Sequence, residues 1–163
     1  MIRCPAVPSV PPGRGAMDLR QLGKYEIVGK IGQGAMGEVF RAHDPILGRD
    51  VAIKTMTATI GTDEELRKRF HREAQSAARL NHPNIITIFE VGQVDGRHFI
   101  CAEYIEGQTL RQRLESDQLN LHRTLDVAIQ IASALTSSHE AGIVHRDIKP
   151  ENIMLRHDGL VKV

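Results

Sequence analysis

The chain has 163 residues, 41% hydrophobic and 25% charged, and its 21 Lys and Arg nearly balance 20 Asp and Glu, for a formal net charge of +1. Because the two signs are interspersed, charge gives no case for a nucleic-acid or anionic-membrane partner, and no apolar run reaches the ~20 residues of a spanning helix. Two cysteines, Cys4 in a Pro-rich stretch and Cys101 inside the apolar run FICA, argue against a disulfide and for a reducing, cytoplasmic setting, while the eight histidines show no ligand spacing such as HExxH.

Residues 1–20, with MIRCPAVPSVPPGRGA at their head, are rich in Pro and Gly and lack periodicity, so they read as a disordered extension. Met17 opens a more ordinary sequence and is a candidate start of the native product, alongside Met1. From Tyr25 to Met56 the pattern predicts three strands in a meander: YEIVGKIG, EVFRAHD and RDVAIKTM. Thr62 then opens a helix through the capping box TDEE, with Leu66, Phe70, Ala74, Ala77 and Leu80 on one face and Asn81-His82-Pro83 as its stop. Two further strands, NIITIFEVGQ and RHFICAEY, flank the turn Asp95-Gly96. After Gly107 the pattern becomes helical in TLRQRLES and again from Leu121 to Glu140, where Leu121, Leu125, Ala128, Ala132 and Leu135 form an apolar stripe ended by Gly142. The last segment, IMLR-HDG-LVKV, reads as a hairpin about Asp158-Gly159.

Three motifs carry chemistry. IGQGAMGEV, with Gly32, Gly34 and Gly37, fits G-x-G-x-x-G-x-V, in which glycines let backbone N–H groups approach phosphate oxygens. A dinucleotide-binding turn would open a helix, whereas the alternating EVFRA after Gly37 continues as a strand. In VAIK, Lys54 shares a strand face with Ala52, and Glu73 lies on the inward face of the following helix, where a carboxylate is costly unless paired. Lys54 is its natural partner. In HRDIKPEN, Asp147 and Asn152 can place a carboxylate beside an attacking hydroxyl and an amide oxygen beside a metal ion, in a loop that Pro150 keeps extended. Lys149 adds positive charge near Asp147.

Taken in this order the residues resemble the eukaryotic-type (Hanks-type) serine/threonine protein kinases, and the wording GAMGEVFRAHD is similar to bacterial members. The resemblance runs from about Tyr25 to Val163. It implies an α+β, protein-kinase-like fold: a complete N-lobe over 21–104, of five antiparallel strands plus one helix, and a partial, mainly helical C-lobe over 105–163. It implies ATP and Mg²⁺ as cofactors and a protein Ser or Thr hydroxyl as acceptor. Ile31, Gly32, Gln33, Gly34, Ala35, Met36 and Gly37 would lie over the nucleotide, with Lys54 on its phosphates and paired to Glu73. Ile31, Val39, Ala52 and Met154 would wall the adenine slot, with the Glu103 carbonyl and the Ile105 N–H at its hinge and the small Ala102 at its back. Asp147 would be the base, Lys149 would face the transferred phosphoryl, and Asn152 would be a metal ligand.

The family's D-F-G tripeptide, expected just after LVKV, is absent from this sequence. The expectation is therefore an N-terminal fragment, weak or inactive alone, with apolar area of the Leu121 helix exposed to a partner kinase chain. Two alternatives stand beside it: a nucleotide-binding or scaffolding module without catalysis, and a truncated gene record. A membrane anchor beyond Val163 stays open.

Overall fold

The computed structural model describes residues 19–34, 37–56, 64–116 and 120–163, without the side chains of Leu66, Arg69 and Glu73. The extension, Cys4, Met17, Ala35, Met36 and the Thr62 cap lie outside the described residues. Six strands form one antiparallel sheet: β1 (Gln21–Leu22), β2 (Tyr25–Gly34), β3 (Gly37–Asp44), β4 (Arg49–Met56), β5 (Ile88–Val94) and β6 (Arg97–Glu103). Their spatial order is β1-β2-β3-β4-β6-β5, with α1 (Glu64–Ala77) packed against β5. The expected five strands become six because Leu22 pairs with Tyr25 in a short hairpin on the left-handed Gly23, with φ +58°.

One face of this sheet is dry. Period-two alternation sends Ala42, Val51, Ile53, Phe99 and Cys101 to it, where Leu22 and Tyr25 cover them. Val51 and Ile53, both fully buried, each contribute about 2 kcal/mol by leaving water. The rim is closed by polar contacts: the Tyr25 hydroxyl donates to Glu90 Oε2 at 2.5 Å, and Lys24 reaches both Asp44 and Glu90 at 3.5 Å. Burial, with Cys101 and Glu90 alongside, pushes the Tyr25 hydroxyl far above its usual range. Burial also works against the charge of Asp44, but the Leu47 and Ile46 amides and Lys24 outweigh it and hold this carboxyl below its ordinary value. Asp95 and Gly96 turn β5 into β6 with φ values of +49° and +76°, the mirror-image turn that suits a tight hairpin.

The remainder holds a three-stranded sheet, β7 (Gly107–Thr109), β8 (Met154–Arg156) and β9 (Val161–Lys162), with α2 (Leu110–Glu115) and α3 (Leu121–Glu140). The predicted hairpin is β8–β9. β7 joins it because Gly107 can approach Leu155 closely, a Cβ there falling 2.0 Å from the Leu155 carbonyl oxygen. Thr109, expected inside a helix, instead caps α2 through a capping box with Gln112. α3 has the expected bounds. Asn120 caps its start, and left-handed Gly142 closes its end while Ile143 N–H donates to Ser138 O and Gly142 N–H to His139 O.

The expected apolar stripe on α3 faces outward: Leu121 and Leu125 are 76% and 52% exposed, and Ile129 beside them is 66% exposed. The face turned inward carries Gln130, Ala134 and Ser138. A clearer correction concerns Asn84–Thr87, predicted as the start of a strand. Here Ile86 N–H donates to Val163 O and Val163 N–H to Asn84 O, so this connector pairs with the C-terminal segment and β5 begins only at Ile88.

Between α1 and β6 the rings of His71 and His98 meet, with Nε2 and Nδ1 2.9 Å apart. His98 is 7% exposed, and burial, then His71 and Arg67, lower its pKa from the ordinary 6.5. The folded state thus binds its proton less readily than the unfolded chain, so stability falls as pH drops through about 6.5. Thermal melts should show a lower midpoint at about pH 5.5 than at about pH 7.5, and His98→Gln should shrink that difference. An identical pH difference in the variant would remove His98 as its cause.

Candidate active site

The sequence-predicted residues fall into two groups on different elements. On the open face of the large sheet, Val39 stands opposite Lys54 in register, and Ala52 opposite Ala102. Val39, Ala52 and Ala102 are half-buried and Lys54 is exposed, so an apolar strip ends in an ammonium group. Ile31 falls in the register shift between Lys30 and Gly32 and is 51% exposed. A flat apolar ring with an anionic tail matches this order of surfaces. The α1 backbone carries Glu73, but its side chain lies outside the described residues, as does the expected ion pair with Lys54.

The glycines above this face differ from one another. Gly34 pairs with Gly37 across the hairpin, and Gly32 with Val39. A Cβ on Gly32 would make an ordinary 3.6 Å contact with Val39, whereas one on Gly37 would sit 1.7 Å from the Thr55 carbonyl oxygen. Gly37 is therefore demanded by the neighbouring β4 backbone, a packing reason the sequence pattern does not reveal.

The second group is the loop after α3. Arg146 takes φ +64°, a left-handed conformation that costs a residue with a Cβ about 1–2 kcal/mol. Lys149 is extended, as expected before a proline, but Pro150 does not keep the loop extended: Pro150–Asn152 form a 3₁₀ turn in which Asn152 N–H donates to Lys149 O at 2.9 Å. That turn folds Asn152 back onto Asp147. Asn152 Nδ2 donates to the Asp147 carbonyl and to its Oδ2, both at 2.8 Å, and Lys149 Nζ lies 2.9 Å from the same Oδ2. Among the described residues Oδ1 of Asp147 and Oδ1 of Asn152 receive no donor. Lys149 first, then Asn152, hold the Asp147 carboxyl below the usual carboxylate range, so it is ionised at neutral pH.

The loop is pinned from below. Arg111 Nε on α2 lies 2.8 Å from Glu151 Oε1 and keeps that carboxyl low, and Leu110 N–H donates to Ile153 O. Met154 follows on β8, paired with Thr109 and Lys162. At the junction between the two sheets, Ile105 is buried and Glu103 ends β6.

Sequence reasoning missed the residues that join these parts. Lys162, 6% exposed, donates from Nζ to Glu103 Oε2 at 2.7 Å and to Ile85 O at 3.3 Å. Asn84 Nδ2 donates to Gln130 Oε1 and to Val161 O, and Val161 N–H donates to the same Gln130 oxygen. A lysine between two valines reads locally as a solvated strand position, and the pattern holds no hint of its distant partner.

Two outcomes test this geometry. Gly37→Ala should force β3 away from β4 and lower the melting midpoint well beyond Gly32→Ala, since backbone cannot yield as a side chain can; equal midpoints would refute the packing role. Lys149→Ala should raise the Asp147 pKa toward its ordinary value, read by carboxyl carbon NMR titration, while an unmoved titration would exclude the ion pair.

The protein kinase domain model matches residues 25–163. A probable serine/threonine-protein kinase of Streptomyces coelicolor is 49% identical over 146 residues, covering 86% of this chain and 22% of the relative. The serine/threonine-protein kinase PrkC of Bacillus subtilis is 44% identical over 142 residues, with the same two shares. The crystal structure of the Mycobacterium tuberculosis PknI kinase domain superposes with a TM-score of 0.78 at 30% identity, over 91% of this chain and 60% of that one. The chain thus spans about a fifth of the length of these curated relatives. With the matched region, the relatives and the fold in agreement, the chain belongs to the serine/threonine protein kinase family of bacterial type and covers part of the kinase domain.

Proposed function

We propose that this chain carries the nucleotide and catalytic-loop portion of an enzyme that transfers the γ-phosphoryl group of ATP to Ser or Thr hydroxyls of proteins. The observation that carries this reading is the Asp147 carboxylate: Oδ2 is committed to Lys149 and Asn152, which leaves Oδ1 to accept a hydroxyl proton. As that proton moves to Asp147, the hydroxyl oxygen forms its bond to the γ-phosphorus, the bond from that phosphorus to the β–γ bridging oxygen breaks, and ADP leaves. Lys149 faces the phosphoryl in flight, and Lys54, paired with Glu73, grips the α and β phosphates. Gly32, Gln33, Gly34, Ala35, Met36 and Gly37 offer backbone amides to phosphate oxygens. Ile31, Val39, Ala52 and Met154 wall the adenine, and the Glu103 carbonyl and Ile105 N–H read its edge.

Bound Mg²⁺ neutralises phosphate charge in such a transfer. Asn152 fits the role of ligand because its Nδ2 is spent on Asp147, leaving Oδ1, a hard oxygen suited to this cation. A cytoplasmic setting is supported by the buried free thiol of Cys101, and among the described residues no helix is long and apolar enough to cross a membrane. The exposure of Leu121, Leu125 and Ile129 supports α3 as the surface that pairs with another kinase chain.

A whole kinase domain that contains this chain, incubated with labelled ATP, Mg²⁺ and a Ser/Thr-containing protein, should give transfer that Asp147→Asn reduces by about 10²-fold or more. Lys54→Met should also reduce it. Tight ATP binding without any transfer would overturn the enzymatic reading in favour of a nucleotide-binding module.

A further inference from the structure

We infer that Lys162 and Glu103 form a clamp that fixes the hinge where it selects adenine, an inference that rests on the nucleotide reading above. Lys162 Nζ lies 2.7 Å from Glu103 Oε2, with the side chains 7% and 21% exposed. A methionine would fill the same volume without the cost of desolvating an ammonium group, and apolar replacements of buried pairs are often as stable. The pair therefore calls for a role in geometry.

That geometry is a three-way tie. Glu103 ends β6 two residues before Ile105, and its backbone N–H donates to Thr87 O at 2.9 Å. Its Oε2 accepts from Lys162 at 2.7 Å and lies 3.4 Å from the Thr87 N–H. Lys162 also donates to Ile85 O, so one ammonium group binds both the connector before β5 and the last residue of β6. β9 is in turn fixed to α3, because Val161 N–H donates to Gln130 Oε1 at 2.9 Å. The Glu103 carbonyl and Ile105 N–H, the two groups placed at the adenine edge, are thus positioned relative to the helix that leads into the catalytic loop. Lys162 touches no reacting atom and acts through Glu103 as a positioning residue. Loss of the clamp lets the hinge drift, which weakens the contacts specific to adenine and leaves the phosphate contacts of the Gly-rich loop and Lys54 in place.

Lys162→Met is the informative variant, because the carboxylate left behind is accessible enough to hydrate. Fluorescent ATP and GTP analogues titrated into this chain should show ATP binding about tenfold weaker in the variant and GTP binding changed by about twofold or less. Hydrogen exchange at the amides of residues 103–106 should quicken by about tenfold, while β3 and β4 amides keep their rates. Lys162→Arg, which retains a cation and donors, should restore part of the ATP preference. An equal loss for both nucleotides, or unchanged hinge exchange, overturns the clamp and leaves a pair that serves stability alone. Failure of the underlying reading looks different: the unmodified chain would bind neither nucleotide, and adenine selection would fall with it.

Discussion

The Asn84 side-chain amide donates at once to Gln130 Oε1 and to the Val161 carbonyl, and the two elements of the protein are fastened at this point. Asn84 is 6% exposed, so each of these bonds replaces water that cannot enter, and an unmade one would cost about 1–3 kcal/mol. The connector it belongs to precedes the large sheet's β5, while Gln130 belongs to α3 and Val161 to β9. His82 extends the seam, with Nε2 3.1 Å from Ser133 Oγ. Ile85, adjacent to Asn84, and Val161, bonded to it, are themselves buried and help to exclude solvent. Polar networks of this kind are strong only when every member is satisfied, and those of Asn84, Gln130 and Lys162 are engaged on several sides.

Held this way, α3 leads into the Asp147 loop and β9 carries Lys162 to Glu103 at the end of β6. The loop itself is short-range chemistry: a proline that starts a 3₁₀ turn, an asparagine folded back on an aspartate, and a lysine on the same carboxylate oxygen. Asp147 and Lys149 are both open to solvent. The strained Arg146 sits next to the carboxylate, and such conformations cluster at functional loops because neighbouring contacts fix them.

Much of the fold was legible because its signals are local. The α3 bounds followed from the apolar stripe that opens at Leu121 and from Gly142, the β2–β4 meander from alternation, and the β5–β6 turn from Asp95-Gly96. The errors have separate causes. Asn84–Thr87 carry a strand's composition, yet their backbone partner is Val163, far along the chain. β1 is two residues long, too short to leave a periodic trace, and Thr109 has the residue type of a cap or of a helix start.

The sequence by itself determined the order of most elements and the kinase resemblance, and it singled out Lys54, Asp147, Lys149 and Asn152 as candidates, because spacing and residue type act over a few positions and survive any packing. Only the tertiary structure decided which Asp147 oxygen stays free, why Gly37 must lack a Cβ, and that Lys162 turns inward to Glu103. Those outcomes depend on groups brought together from distant positions, where the cost of leaving a buried charge or amide unpaired selects one arrangement among those that local propensity allows.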